Sequence, residues 1–297
     1  MKPYKGDKLP ITVLLAAKNE AINLPRCLAA LSPASRVVVL DSHSTDATAD
    51  IALAHGAEVV QFDYHGGYPK KRQWALENLS IDTPWVFLLD ADEVVPTALW
   101  RVVEQSIFST AAPDAFLITK DFHFLGQRMK HGGFSHAAVL LFRTGKARFE
   151  RLFNDVVDGL DMEIHERVIV DGRIGRIAEP LIHEDFKGLE AYIARHNKYS
   201  TWEARLRHTY LTSGHYGEET IQPRFFGNPQ ERRRFLKALI IRLPLEHWLW
   251  FAWHYFIRLG FLEGRPGLIA CQIRASYIAQ VRAKIFELET KGAKQRF

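Results

Sequence analysis

Cysteine is nearly absent from this sequence. Only Cys27 and Cys271 occur, far apart, so no disulfide framework holds the fold and a reducing compartment is the simplest setting. Long uncharged apolar runs are missing too. The most apolar stretch, Leu239–Leu262, is broken by Arg242, Pro244, Glu246, His247, His254 and Arg258, which argues against a bilayer-spanning helix. The opening MKPYKGDKLPITVLL has no apolar core followed by a small-residue cleavage site, so no secretory signal is expected. Neither G-x-G-x-x-G nor G-x-x-x-x-G-K-[ST] occurs, which argues against a Rossmann dehydrogenase or a P-loop enzyme. There is no internal repeat and no low-complexity tract.

What remains is a globular composition. The 297 residues are 47% hydrophobic and 25% charged, enough for one large α/β domain with additions or for two modest domains. The net charge of +5 is unevenly spread. Arg224–Phe297 holds 14 Lys+Arg against 5 Glu and no Asp, a net +9, which leaves −4 for the first 223 residues. A mildly acidic body with a basic, aromatic C-terminal segment suggests an anionic surface or polymer as partner, although a solvated helical face has the same composition.

Short β-branched runs alternate with helical spacing through the first half. Strands are expected at Ile11–Ala17, Arg36–Leu40, Ala57–Phe62 and Pro84–Leu89. Helices are expected at Ala21–Leu31, Ala47–His55, Pro69–Leu79 and Pro96–Phe108. This is the βαβ pattern of a parallel sheet with helices on both faces, in which ligands bind beyond the carboxyl ends of the strands. Polar residues stand at three of those ends: Asn19-Glu20, Asp41 and Asp90/Asp92. After Asp114, strands at Ala115–Lys120, Ala138–Arg143 and Val168–Val170, separated by connections such as His131-Gly132-Gly133, predict an antiparallel or mixed extension of the same sheet. Long helices follow at Leu189–His208, Arg232–Leu259 and Leu268–Leu288.

The sharpest motif is Leu88-Leu89-Asp90-Ala91-Asp92-Glu93. Two carboxylates just past a buried strand can converge on a hard divalent cation such as Mg²⁺ or Mn²⁺, which also bridges phosphates. The plainer alternative is a helix cap with exposed neighbours. Asp41, in VVVLDSHSTDAT, can accept hydrogen bonds from a base or ribose, or simply close an Asx turn with Ser42 and Ser44.

AAKNEAINLPRCL, VVVLDSHSTDAT and WVFLLDADE, in this order and spacing, resemble family 2 glycosyltransferases. HFLGQRMKHGGF, AVLLFRTGKARFE, IHERVIVDG, PLIHEDFKGLEAYIARHNKYSTWEA and RLGFLEGRPGL extend the likeness over roughly Leu9 to Leu288. They resemble the branch of bacterial lipopolysaccharide-core glucosyltransferases and related exopolysaccharide glycosyltransferases. A proline often stands two residues before the Asn-Glu pair in that family, where this chain has Ala17.

The resemblance implies a GT-A fold, a Rossmann-like mixed central sheet flanked by helices. Residues 1–222 would form this domain and 223–297 a C-terminal helical extension. It implies inverting, metal-dependent transfer of a sugar from a nucleotide-sugar, a UDP-sugar by preference. Asn19 and Glu20 would lie by the nucleotide and Asp41 by its base. Lys71 or Arg72 would lie near base or phosphates. Asp90 and Asp92 would form the DxD pair, with Asp92 the more direct ligand of Mg²⁺ or Mn²⁺.

An inverting transfer needs one general base for the acceptor hydroxyl. Glu163, Glu166 and Asp185 are candidates, and Glu166 is preferred because Ile164-His165-Glu166-Arg167 resembles the family motif; Asp161 adds to a local acidic cluster. His183 can complete the metal site or touch the diphosphate. Arg195, His196 and Lys198 can face an anionic acceptor or the diphosphate, with Arg195 and Tyr199 on one helical face.

In Leu239–Leu262, Trp248, Trp250, Trp253 and Tyr255 among arginines suit a helix lying in a membrane interface. Arg232-Arg233-Arg234 before it and Arg265 after it would be drawn to anionic lipid. The expected setting is therefore peripheral, at the cytoplasmic face of the inner membrane, with a lipid-linked glycan as acceptor. Transfer to polyprenyl phosphate is the alternative enzyme reading. A nucleic-acid-binding protein is the alternative from another class, although nothing here resembles a binding module.

Overall fold

The computed structural model describes residues 8–152, 160–163, 166–215, 221–227, 229–243 and 245–294. Its first half alternates β1 (Leu9–Ala17), α1 (Leu24–Ala29), β2 (Ala34–Asp41), α2 (Thr48–Ala54), β3 (Glu58–Gln61), α3 (Lys71–Asn78) and β4 (Trp85–Asp90). Then come β5 (Glu93–Val94), α4 (Thr97–Ile107), β6 (Ala115–Phe124), β7 (Gln127–Arg128), β8 (His136–Arg143), β9 (Ala147–Phe149), β10 (Val168–Val170) and β11 (Ile174–His183). The strand positions match the apolar runs. The first helix is shorter than its spacing suggests, because residues 21–23 form a turn around the buried Asn23.

The main sheet has the order β3-β2-β1-β4-β8-β6-β11-β5, with β7 paired to β6. Strands β1 to β4 are mutually parallel, and β8 runs antiparallel to both β4 and β6. Therefore β6, and β11 parallel to it, run in the same direction as β1. The ends at Ala17, Asp41, Asp90 and His183 share one edge. This is the expected mixed central sheet flanked by helices, except that Val168–Val170 (β10) does not extend it but pairs with β9 in a separate two-stranded sheet.

The core follows strand alternation. Ile11, Val13 and Leu15 of β1 with Trp85, Phe87 and Leu89 of β4 pack in one cluster with α1 and α4. Leu14, Val86 and Leu88 pack in a second cluster with Ala75 of α3. Successive side chains point to opposite faces, and both faces are covered, so these strands are apolar throughout.

The C-terminal part contains α5 (Gly188–Ser213), α6 (Pro229–Ile240), α7 (Glu246–Ala252) and α8 (Gly264–Lys294). Helix α5 lies along α8 through Ala204, Tyr277, Ile278 and Val281. The single helix expected over Arg232–Leu259 is corrected to two. The last turn of α6 tightens, with Arg242 and Leu243 donating to Leu239 and Ile240 at 3.2 and 2.9 Å. Pro244, outside the described residues, lacks the N–H that a continuing helix needs. Leu245 then takes φ 56°, and α7 starts afresh. After α7 come a π-helical turn, Trp253–Ile257, and a 3₁₀ turn, Gly260–Glu263. Among the described residues no helix is long and apolar enough to cross a membrane.

Candidate active site

Strand β4 ends at Asp90, beside Ala16 of β1. The chain then reverses, and the two-residue β5 pairs antiparallel with β11, setting Glu93 against His183. Two segments far apart in sequence are thereby joined, and Asp92 Oδ2 comes within 3.5 Å of His183 Nε2. The backbone N–H of Glu184 donates to the Asp92 carbonyl at 3.0 Å and fixes that corner.

These acids are buried, which is costly without opposite charge. Lys120, on β6, supplies part of it: it lies 3.0 Å from Asp90 and ion-pairs with the fully buried Glu93. Arg72, on α3, pairs with the other Asp90 oxygen and donates to the Leu89 carbonyl at 3.2 Å. Glu93 also accepts the Asp90 backbone N–H at 2.9 Å. Burial alone would raise the Asp90 carboxyl, but Arg72 and Lys120 hold it far below the usual carboxylate range. Burial pushes the Glu93 carboxyl up. Burial would lower His183, yet Asp92 and Glu93 raise it to about 9.

Lys120 and Glu93 were not singled out from the sequence. The available signal was a lone lysine inside the apolar strand AFLITKDF, which invites the question of its counter-ion.

Two donor atoms of different elements thus stand together, an Asp92 oxygen and a His183 nitrogen. The other ring nitrogen, Nδ1, is buried without a hydrogen-bond partner. Among the described residues no group of three or more His, Cys, Asp or Glu converges into a metal cage. A two-ligand site completed by phosphate oxygens and water is nevertheless what Mg²⁺ or Mn²⁺ accepts, so the residues fit such an ion. Both Asp90 oxygens are already matched by Arg72 and Lys120. That departs from the expectation that Asp90 is itself a metal ligand.

A second cluster adjoins this one. Asn23 donates to Glu20 at 2.9 Å and to Asp185 at 2.8 Å. Lys187 reaches Glu20 at 2.5 Å, and Arg195 reaches Asp185 at 2.7 Å. Tyr199, one turn beyond Arg195, lies in the field of Arg195, Asp90, Asp92 and Glu20; burial pushes its phenol up. Lys198 is exposed on α5, apart from these contacts.

At the second strand end Asp41 is buried and acts locally. It accepts the Ser44 N–H at 3.1 Å and Gln61 at 3.0 Å. Asn19 joins the same loop: its N–H donates to Ser44 Oγ, and its Oδ1 accepts the Thr45 N–H, both at 2.8 Å. Lys71 is also inside, donating to the Ala17 carbonyl at 2.8 Å and pairing with Asp161 at 3.1 Å. Lys71 and Arg72 each hold a strand-end group.

Of the three base candidates, Glu163 accepts the N–H groups of Arg72 and Gln73 at 3.2 and 2.9 Å, satisfying donors at the start of α3. Asp185 takes Asn23, Arg195 and the Lys187 N–H. Glu166 pairs with Lys70 at 2.6 Å and lines a small recess with Tyr68, Phe149 and Glu163. Ile164 and His165, the start of its motif, lie outside the described residues.

Residues 12–124 match Glycosyl transferase family 2. The chain is 26% identical over 291 residues to the lipopolysaccharide core biosynthesis glycosyltransferase LpsC of Rhizobium meliloti, covering 94% of this chain and 93% of that one. It is 40% identical over 82 residues to an uncharacterized glycosyltransferase of Mycobacterium tuberculosis, covering 28% of this chain and 36% of the other. Among solved structures, glucosyl-3-phosphoglycerate synthase from Mycobacterium tuberculosis, in complex with Mn²⁺, uridine-diphosphate and glucosyl-3-phosphoglycerate, aligns with a TM-score of 0.31 and 25% identity. That alignment spans 38% of this chain and 44% of the synthase. The matched residues 12–124 carry the strand ends at Asn19, Asp41 and Asp90, so the likeness to the family 2 glycosyltransferases rests on the part of the chain that holds these acids.

Proposed function

We propose that this glycosyltransferase moves a sugar, with inversion, from a UDP-sugar to a lipid-linked glycan of lipopolysaccharide or exopolysaccharide synthesis. The observation that carries the reading is the β5–β11 pairing, which brings Asp92 to His183 beside the charge-compensated Asp90. Asp92 and His183 would hold Mg²⁺ or Mn²⁺, whose charge stabilises the departing diphosphate. Asp90 faces the donor with its orientation fixed by Arg72 and Lys120, and Lys71 holds the β1 end and Asp161 in place. Asn19, Glu20 and Asp41 shape the nucleotide side. Arg195, with Lys198 farther out on α5, serves the diphosphate or an anionic acceptor.

Glu166 is the base. Glu163 accepts two N–H groups at the start of α3 and Asp185 takes three donors, whereas Glu166 stands in the His-Glu motif and is held by Lys70. In the transfer step the acceptor oxygen bonds to the anomeric carbon and its proton passes to Glu166. The bond from that carbon to the diphosphate oxygen breaks, releasing the nucleoside diphosphate. Residues 1–222 perform this chemistry, and residues 223–297 hold the enzyme peripherally at the cytoplasmic face of the inner membrane.

The test is hydrolysis of nucleotide-sugars with and without Mn²⁺. Asp92→Ala is expected to lower kcat/KM by roughly 10³-fold, about 4 kcal/mol of lost charge stabilisation. Metal-stimulated hydrolysis that survives at full rate in Asp92→Ala overturns the metal assignment. Glu166→Gln should abolish transfer to a hydroxyl acceptor while leaving UDP binding, read by thermal stabilisation, intact.

A further inference from the structure

The C-terminal helices invert the usual partition of side chains. Between residues 245 and 262 every exposed residue except Arg258 is apolar, while the acid of that stretch, Glu246, is buried at 4% exposure. Trp248, Leu249, Trp253, Phe256, Ile257 and Leu262 are each more than half exposed. On α6, Leu236, Leu239 and Ile240 are exposed too, as are Arg232, Arg233, Arg242 and Arg265. No acidic residue between 232 and 265 is exposed. An apolar patch of this kind on a water-soluble surface marks an interaction site.

The backbone keeps the patch outward at a cost. Leu245 and Leu259, at its two ends, adopt φ of 56° and 59°, a left-handed conformation that is unfavourable for leucine, and both side chains stay exposed. The 3₁₀ turn that follows Leu259 packs closely on α8. A Cβ on Gly267 would meet the Gly260 carbonyl oxygen at 2.2 Å, so only glycine permits that approach.

The patch is also joined to the catalytic sheet. Glu263 accepts the His131 N–H at 2.6 Å and Gln127 Nε2 at 2.8 Å. Gly132 N–H donates to the Arg258 carbonyl at 2.8 Å, and His254 Nδ1 lies 2.6 Å from the Gly132 carbonyl. These partners sit in the β6–β8 connection, and β6 carries Lys120 of the active site.

We propose that residues 245–262 and the outer face of α6 form a platform that seats in the headgroup layer of an anionic lipid membrane, and that the Glu263 clasp holds the active site at a fixed height above it. Tryptophan and aliphatic side chains enter the interface while the surrounding arginines meet lipid phosphates. A second copy of this chain is the less favourable occupant, because a two-fold contact would bring arginines against arginines with no exposed acid to answer them.

The test uses the full chain and no donor, so it is independent of the transferase reading. Vesicles of phosphatidylcholine alone and of phosphatidylcholine mixed with phosphatidylglycerol are sedimented with the protein. Binding is expected on the mixed vesicles and is expected to weaken as salt rises. The double variant Trp248→Ala/Trp253→Ala should bind at least about tenfold more weakly. Arg232→Glu and Arg233→Glu should each cost at least about fivefold and flatten the salt dependence. Unchanged Tm in the variants separates lost binding from lost folding. The proposal is overturned if the wild type fails to bind, if the tryptophan variant binds equally, or if wild type forms a dimer that the tryptophan variant abolishes without vesicle binding by either.

Discussion

Asp92 and Glu93 at the sheet edge, next to the half-buried Asp90, and Glu203, Glu246 and Glu263 in the C-terminal helices are all buried, yet they are answered in different ways. Glu203 takes Arg207 at 2.8 Å, Lys237 at 2.9 Å and the Tyr277 hydroxyl at 2.5 Å. Glu246 takes Arg207 twice at 2.9 Å. Those acids cross-link α5, α6, α7 and α8 and face only protein. At the sheet edge the same ionic chemistry gathers at the strand ends, and His183 keeps a buried ring nitrogen without a hydrogen-bond partner. Burial of charge therefore does not by itself mark a site. A site is marked where buried charges converge with donor capacity left over.

Removing one member from each network sharpens this contrast most. Lys120→Ala removes the lysine that Asp90 and Glu93 share, and Glu203→Ala removes the partner of Lys237 and one of the two partners of Arg207, so each should lose about 3–5 kcal/mol of stability by chemical denaturation. Activity should separate them. The fraction of Glu203→Ala that remains folded should hydrolyse donor at close to the normal rate. Folded Lys120→Ala should not, because Asp90 loses half of its compensation. Equal specific activity in the two variants would remove the functional distinction between the networks.

The parallel half of the sheet was legible because β1, β2 and β4 are largely buried and read as unbroken apolar runs between short helices. Asp90, Asp92 and His183 were legible as residues. Their meeting was not, because the two-residue β5 has no periodicity to detect and its pairing with β11 joins segments about ninety residues apart in the chain. Lys120 was hidden for a related reason: strand alternation gives a residue's face, but not the counter-ion that a neighbouring strand supplies. The break in the helix expected over Arg232–Leu259 was underestimated. Pro244 was visible, but the apolar surroundings were compatible with one long interfacial helix.

A smaller effect tests whether α5 belongs with the packed helices or with the strand ends. His196 stacks on Tyr192 at 3.9 Å and donates from Nδ1 to the Tyr192 carbonyl at 2.8 Å. Burial lowers it to about 4 from an ordinary 6.5. The unfolded chain thus binds the proton more readily. Stability is complete above pH 6.5 and falls as pH drops toward 4, by about 1 kcal/mol for this partly buried ring. His196→Gln should flatten the dependence of Tm on pH between 6.5 and 5. If it does not, His196 is solvated like a surface histidine and α5 is more loosely packed on α8.

The smallest expected change has the opposite sign. Leu259→Gly relieves a left-handed conformation that costs leucine about 1–2 kcal/mol, and returns part of that gain through the greater entropy of unfolded glycine. Leu259 is 42% exposed, so little packing is lost. The net expectation is a stabilisation of about 0.5 kcal/mol, read as a small rise in Tm in the absence of lipid. A comparable change inside the catalytic networks would destabilise, since the ion pairs of Asp90, Asp92 and Glu93 would be lost. At the platform a stabilising substitution should weaken vesicle binding, because the leucine held in strain is one that the membrane uses. A Leu259→Gly chain that is both more stable and equally bound to phosphatidylglycerol vesicles would show that this end of the patch is irregular backbone without a role in docking.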